Sequence, residues 1–310
     1  MKEMMATLCG ATIAAGMASQ AVAQEKPDLP VAKQSVSYDP ASSISPSSAT
    51  TTVSPSSVPQ AMERMDGDTV FNLSLGTSYA GGKFGTRSDT TIWSSALGAR
   101  LRSGDWTLSA SLPWMRIRSR STIFTGIDST PVLVAPNTAA QKRTMNGFGD
   151  LTLGAAYTIA PAASPIEVQM SGRAKINTAT KGSGLSSGEN DYALGTDVSL
   201  PIGRVTPFAS FTYRFLGDTT LYRLRNGPAA SAGASYAFGR DSVFVASYHY
   251  ARAATRLVQD SHELFGGVST RVPSMPLRLT GFATAGLSNG AAGLSAGLAL
   301  SVGLGDRVGR

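Results

Sequence analysis

Glu167-Val168-Gln169-Met170-Ser171-Gly172-Arg173-Ala174-Lys175-Ile176 alternates polar and apolar or small side chains without a break. Val168, Met170, Gly172, Ala174 and Ile176 form one set; Glu167, Gln169, Ser171, Arg173 and Lys175 form the other. A period of two places the sets on opposite faces of a β-strand. The pattern returns at Leu277, Leu279, Gly281, Ala283, Ala285 and Leu287, interleaved with Arg278, Thr280, Phe282, Thr284 and Gly286. Strands of about ten residues are long for a soluble domain and match a tilted crossing of a bilayer. Connections between units are alternately very short and longer. The expectation is an all-β fold: an antiparallel, up-and-down transmembrane β-barrel of about twelve strands.

The expected strands fall near 69–80, 89–102, 105–118, 146–159, 165–177, 189–202, 205–217, 227–238, 241–252, 261–272, 275–287 and 291–304. Tight turns such as Ser103-Gly104, Gly203-Arg204 and Pro273-Ser274 use residues that suit turn conformations. Short turns on the periplasmic side and longer loops outside agree with this parity. The longest loop, Ser119 to Met145, carries Ile123, Phe124, Ile127, Val132, Leu133 and Val134. It is apolar enough to fold inward as a constriction or to form a greasy vestibule; an exposed loop is the plainer alternative.

Residues 1–23 read as a signal peptide. Leu8 to Ala18 is apolar, and Ala21-Val22-Ala23 forms an A-x-A cleavage site before Gln24. The single cysteine, Cys9, falls inside that segment, so a mature chain starting at Gln24 has no disulfide or thiolate metal site. Residues 24–66 form a Ser/Thr/Pro-rich tract, typified by Ser54-Pro55-Ser56-Ser57, with too little apolar content to fold alone. This tract is expected to be a disordered periplasmic arm ahead of a barrel spanning 67–310. The implied localisation is the outer membrane of a Gram-negative bacterium. The formal charge of +7 has no basic helix or aromatic sheet motif to support nucleic-acid binding. No nucleic acid is expected as a partner.

Trp106, Leu108, Ala110, Leu112 and Trp114 share one face, with Thr107, Ser109 and Ser111 opposite. Eight steps from Trp106 to Trp114 span roughly 20 Å along the membrane normal, close to the height of an apolar band with its aromatic girdles. Arg116, Arg118 and Arg120 continue that face, where guanidinium groups suit lipopolysaccharide phosphates. If Pro113 introduces a bulge that swaps faces, the same arginines line the pore mouth instead.

With the apolar face outward, the lumen receives Arg100, Arg102, Asp150, Glu167, Arg173, Lys175, Asp197, Arg214, Glu263, Arg271 and Arg278. Two readings compete: opposite charges pair and fill the interior, or they line a watery path with a mild anion preference. Many inward positions are small, including Ser171, Gly195, Ser231, Gly233, Gly267 and Gly297, which favours a narrow pore.

The histidines, His249 and His262, raise the question of hydrolysis. Ser247 and His249 point the same way on a strand without by themselves making a nucleophile–base pair, and neither has an Asp or Asn orienter at recognisable spacing. Glu189-Asn190-Asp191 has too few carboxylates for a hard-cation loop. No enzyme, cofactor or metal is expected.

Phe148-Gly149-Asp150-Leu151-Thr152-Leu153-Gly154 followed by Tyr157 resembles the G-D-x-x-L-G-x-x-Y strand of the outer-membrane barrels named for the meta-pathway of phenol degradation. Ile176 to Gly184, the Gly188-Glu189-Asn190-Asp191-Tyr192 entry and the Gly286-Leu287-Ser288-Asn289-Gly290 tail are similar too, although the family's Pro-Thr-Gly turn is missing. The resemblance covers 148–304. It implies a passive uptake channel for small solutes, aromatic or hydrophobic ones among them. Membrane lipid and lipopolysaccharide are expected partners of the outer face, and Gly297-x-x-Leu300-x-Val302 resembles the last-strand signal that the barrel-assembly machinery recognises. A closed structural or adhesive barrel is the alternative reading, and an outer-membrane hydrolase the third. The chain departs from most barrels in ending on Leu304 and a polar tail.

Overall fold

The computed structural model describes residues 70–305, apart from 85–88, 137, 140, 162–163 and 239–240. The expected signal peptide and arm lie outside the described residues, as does the tail after Gly305.

The wall is built from β1 (Val70–Gly82), β2 (Thr90–Ser103), β3 (Trp106–Ser119), β6 (Arg143–Phe148), β7 (Leu151–Ile159), β8 (Glu167–Ile176), β9 (Asp191–Ser199), β10 (Val205–Phe215), β11 (Gly227–Phe238), β12 (Ser242–Ala251), β13 (Ser261–Arg271), β14 (Leu277–Gly286) and β15 (Leu294–Gly305). Two further strands, β4 (Thr122–Thr125) and β5 (Pro131–Ala135), form a separate hairpin. Every wall strand pairs antiparallel with its neighbours, and β1 pairs with β15 from Val70↔Gly305 to Gly81↔Leu294. The sheet therefore closes on itself, and among the described wall segments β6 alone has a strand partner on one side only. β6 and β7 are two halves of one wall strand beside β3, so thirteen segments make a barrel of twelve strands. This is the expected architecture.

The break between β6 and β7 has a local cause. Ser111 pairs with Thr152 and Trp114 with Phe148, leaving Leu112 and Pro113 opposite Gly149, Asp150 and Leu151. The extra residue makes a β-bulge. Pro113 has no N–H to give to the ladder; its carbonyl instead accepts the Gly149 N–H at 2.9 Å. A Cβ at Gly149 would lie 2.9 Å from Pro113 Cγ and 2.6 Å from Thr125 Oγ1, which explains the glycine. The bulge turns Asp150 inward, fully buried.

The apolar set faces outward all round. Trp106, Leu194 and Leu298 are each more than half exposed, while Val245 and Lys175 on the inner face are completely buried. Two aromatic belts bound this exterior. Near the short turns, Trp106 pairs with Tyr157 at a ring separation of 5.0 Å, and Tyr236 lies opposite Phe244. Near the long loops stand Tyr79, Trp93, Trp114, Phe148, Tyr192 and Phe215. A wide apolar band between two belts is the surface that a bilayer covers. The Trp106 and Trp114 girdle positions are both on this face.

β3 keeps one register with β2 from Thr91↔Arg118 to Ser103↔Trp106, so Pro113 does not swap faces. The irregularity falls on the neighbouring strand instead. Arg116 and Arg118 are exposed on the outer face beyond Trp114; the alternative in which they line the pore mouth is thereby corrected. Arg120 leaves the strand and its Nε donates to the Ala139 carbonyl at 3.0 Å.

Candidate functional site: a plugged mouth above a row of arginines

The segment between β3 and β6 folds inward over Thr122–Ala135, while Thr138, Gln141 and Lys142 stay exposed. Its hairpin β4–β5, closed by a single 3-10 turn at Ile127–Ser129, reaches into the long-loop end of the barrel. Ile123 and Leu133 join Ala80, Ile92, Met115 and Ile117 of the wall in one buried apolar cluster. Phe84, Leu185, Ala253, Val258 and Ala292, from four other loops, complete it. Polar ties pin the hairpin around the rim. The Thr125 N–H donates to the Leu185 carbonyl at 2.6 Å, and Thr255 Oγ1 donates to the Val134 carbonyl at 2.6 Å. The inward-folding expectation holds, and the segment acts as a plug.

Beneath Thr125 lies a buried ion cluster. Lys175 Nζ stands 2.9 Å from Asp191 Oδ2 and 3.3 Å from Asp150 Oδ2, with Ser187 Oγ at 3.1 Å and the Thr125 carbonyl at 3.4 Å. Asp150 also accepts the backbone N–H groups of Thr178 and Ala179, each at 3.1 Å, and the Ser186 hydroxyl at 2.7 Å. Asp191 accepts the Gly217 N–H at 2.9 Å. An ammonium and two carboxylates out of water are tolerable only with this degree of pairing and hydrogen bonding. Asp191, expected only to begin a strand, is thus a partner in the cluster.

One step down the wall, Cα register links Arg100 to Ser109, Ser109 to Gly154, Gly154 to Arg173, Arg173 to Ala193 and Ala193 to Arg214. Three inward arginines therefore stand on one row, separated by small residues. A Cβ on Gly154 would lie 2.6 Å from Ser109 Oγ and 3.3 Å from Arg173 Cγ, so the glycine leaves room for the guanidinium. The plug tip meets this row. Asp128 forms an ion pair with Arg173 Nη1, and Arg100 lies within electrostatic reach of the same carboxylate. Arg173 Nη2 donates to Thr212 Oγ1 at 3.2 Å, and the Asp128 N–H donates to Thr152 Oγ1 at 3.2 Å. Arg173 and Asp128 keep 27% and 20% of their side-chain surface open, so solvent reaches the pair. Asp128 adopts φ 59°, ψ 30°, a left-handed conformation that a short polar side chain tolerates at some cost.

The remaining lumen candidates also face inward. Asp197 and Glu167 sit below the row on β9 and β8, and Ser199 Oγ approaches Glu167 Oε2 at 3.5 Å. Arg102, Arg271 and Arg278 gather toward the short-turn end, where Arg271 and Arg278 are direct cross-strand neighbours. That places like charges side by side, with the Asp241 carboxylate within electrostatic reach of Arg278. Glu263 is buried on β13 opposite His249 and accepts the Ser261 hydroxyl at 3.1 Å.

Two sequence readings need adjustment. Ser247 Oγ and His249 Nε2 lie 2.8 Å apart on the inner face, so they do hydrogen-bond, with Ser247 almost fully buried against Gly233. Asp128 was absent from the lumen set. It is the sole charged residue between Arg120 and Lys142, and that isolation in an apolar loop is the signal that marks it.

No family model and no curated protein matches the chain. Several solved barrels are similar. One is the CymD monoaromatic hydrocarbon channel, at 12% identity and TM-score 0.37, covering 77% of this chain and 88% of that one. Another is the translocator domain of autotransporter NalP from Neisseria meningitidis, at 11% identity and TM-score 0.46, covering 80% and 92%. A third is outer membrane phospholipase A from Escherichia coli, at 13% identity and TM-score 0.38, covering 78% and 95%. The expectation of no enzyme is corrected by the last of these: a hydrolase stands among the similar barrels beside a channel.

Proposed function

We propose that this chain is an outer-membrane channel that admits small solutes down their gradient, with residues 120–142 as its plug. One observation carries the reading. The longest loop is folded into the mouth and tied to the rest of the barrel by an apolar cluster, hydrogen bonds and one solvent-reached ion pair, above a lumen lined with cations. A purely structural barrel has no use for a removable stopper over a charged interior. The resemblance to the meta-pathway barrels supports solutes with an apolar body, aromatic or hydrophobic compounds among them, while Phe84, Ile92, Ile123 and Leu133 at the plug's edge are packed shut. The Arg102, Arg271 and Arg278 group at the far end gives the path an anion preference. The chain is read as a divergent member of the meta-pathway barrels. Its Gly149-Asp150 motif has a physical role here, since it forms the bulge that delivers Asp150 to Lys175.

Arg116 and Arg118 make no hydrogen bond or ion pair with any described residue and stand just above the outer aromatic belt, beside Thr91, Thr144, Asn146 and Trp93. They suit the phosphates of lipopolysaccharide. The barrel-assembly machinery is the expected partner during biogenesis.

Single-channel recording tests the channel. Purified protein should give small, rare steps, and replacing 122–135 by a short Gly-Ser link should raise conductance severalfold. Absence of steps from both forms would overturn the proposal.

A further inference from the structure

The plug tip resembles a ligand more than a structural contact. A single carboxylate on a strained turn enters a row of three arginines, and it takes the bonds that a small organic acid would take. We infer that Arg173, flanked by Arg100 and Arg214, is a binding site for the carboxylate of a small organic anion, and that Asp128 occupies it as a built-in competitor.

Four observations converge on this. The row exists only through strand register, with Ser109, Gly154 and Ala193 as spacers that leave volume beside the guanidiniums. Arg173 already shows the expected mode of recognition, with Nη1 on a carboxylate oxygen and Nη2 on the Thr212 hydroxyl. Planar guanidinium forks match carboxylates better than an ammonium does. Solvent reaches both partners of the Asp128–Arg173 pair, which makes exchange with a dissolved anion feasible, whereas Lys175 and its carboxylates are sealed. Finally, Asp128 sits at a left-handed φ, so its departure relieves backbone strain that partly offsets the lost ion pair.

The consequence is coupling between solute and plug. An anion that takes Arg173 releases the plug tip, and the apparent affinity in the wild type is reduced by the fraction of molecules whose tip has already left. A neutral isostere has nothing to offer the row. This inference rests on the channel reading for how the anion arrives, although binding itself requires no transport.

Titration calorimetry on the complete barrel in detergent tests it, with benzoate as probe and benzamide as its neutral counterpart. Asp128→Asn keeps the turn and removes the competitor; it should bind benzoate about tenfold more tightly than wild type, the effect of losing one partly exposed charged contact. Adding Arg173→Gln should return affinity to or below the wild-type level, and benzamide should bind to none of these forms. Heat-modifiable gel mobility reports whether each variant is a folded barrel. If Arg173→Gln does not fold, Arg100→Gln in the Asp128→Asn background should still weaken benzoate at least threefold, about 0.7 kcal/mol. Equal benzoate affinity in wild type and Asp128→Asn overturns the inference, as does undiminished binding after loss of the arginine. Benzoate binding by a protein that gives no current steps sustains this site and removes the channel; steps without benzoate binding do the reverse.

Discussion

Replacing Lys175 by Met should cost the barrel about 3–5 kcal/mol, because a similar side-chain length is kept while the only ammonium between two buried carboxylates is deleted. Nζ is 2.9 Å from Asp191 and 3.3 Å from Asp150, with all three side chains out of solvent. At an effective dielectric near 20, each contact represents about 5 kcal/mol of Coulomb attraction, set against several kcal/mol of desolvation per ion. The net worth of the intact cluster is therefore modest, but removing the cation leaves both desolvation penalties and adds the repulsion between the carboxylates. Backbone donors from Thr178, Ala179 and Gly217 remain on them and keep the loss near the lower end of that range. Equilibrium unfolding from detergent into urea, followed by fluorescence of Trp93, Trp106 and Trp114, measures the change. Loss of the Thr125 tether should also loosen the plug so that trypsin cuts after Arg120 before the wall unfolds. Adding Asp191→Asn should recover about half of the lost stability, since one orphaned charge disappears. A loss below about 1 kcal/mol, the size of a solvated surface pair, would refute a dry cluster.

Arg116→Ser with Arg118→Ser should halve the lipopolysaccharide retained by purified protein, as measured by phosphate assay, without altering unfolding. Unchanged retention would remove those arginines from the lipid contact. Gly149→Val should free the plug and raise conductance, because its side chain collides with Thr125 and Pro113; wild-type current traces would show that the bulge does not seat the hairpin. Gly233→Ala should destabilise the barrel by about 1–3 kcal/mol through overpacking, since a Cβ there would lie 2.2 Å from the Ala246 carbonyl and 2.5 Å from Ser247 Cβ. Urea unfolding decides it, and a neutral result would mean that β12 can move aside. Trp106→Ala should cost about 1 kcal/mol beyond lost burial, the value of its ring contact with Tyr157, in the same measurement.

The wall was legible because its signal is local. Alternation over 165–177 and 227–238 foretold Glu167–Ile176 and Gly227–Phe238 almost to the residue, and each inward charge followed from parity along its own strand. The expected single strand 146–159 failed at one point. The break at Gly149-Asp150 answers to Pro113, which lies thirty-six residues earlier in the chain and next to it in space. The hairpin β4–β5 is not legible as structure in the sequence, although Ile123 and Val132-Leu133-Val134 are plainly apolar. Strands of four and five residues carry too little period to announce themselves, and they exist through packing on Ile92, Met115 and Leu185. The ion cluster was invisible for a related reason: Lys175, Asp150 and Asp191 come from three strands.

The arginine row shows what kind of information strand alternation lacks. A slip of β8 by two residues against β7 and β9 would keep Val168, Met170 and Ala174 outside, because the side-chain period is two. Hydrophobic burial is nearly blind to that error. Yet the slip would carry Arg173 about 7 Å along the wall, away from Asp128 and Thr212, and would pull Lys175 from Asp191. Each buried charge left without a partner costs several kcal/mol, so the polar interior penalises registers that the exterior accepts. The charges that line the lumen also select the pairing that assembles it. A lumen of Ser and Thr alone could still line a barrel, but it would have far less with which to choose among registers two residues apart.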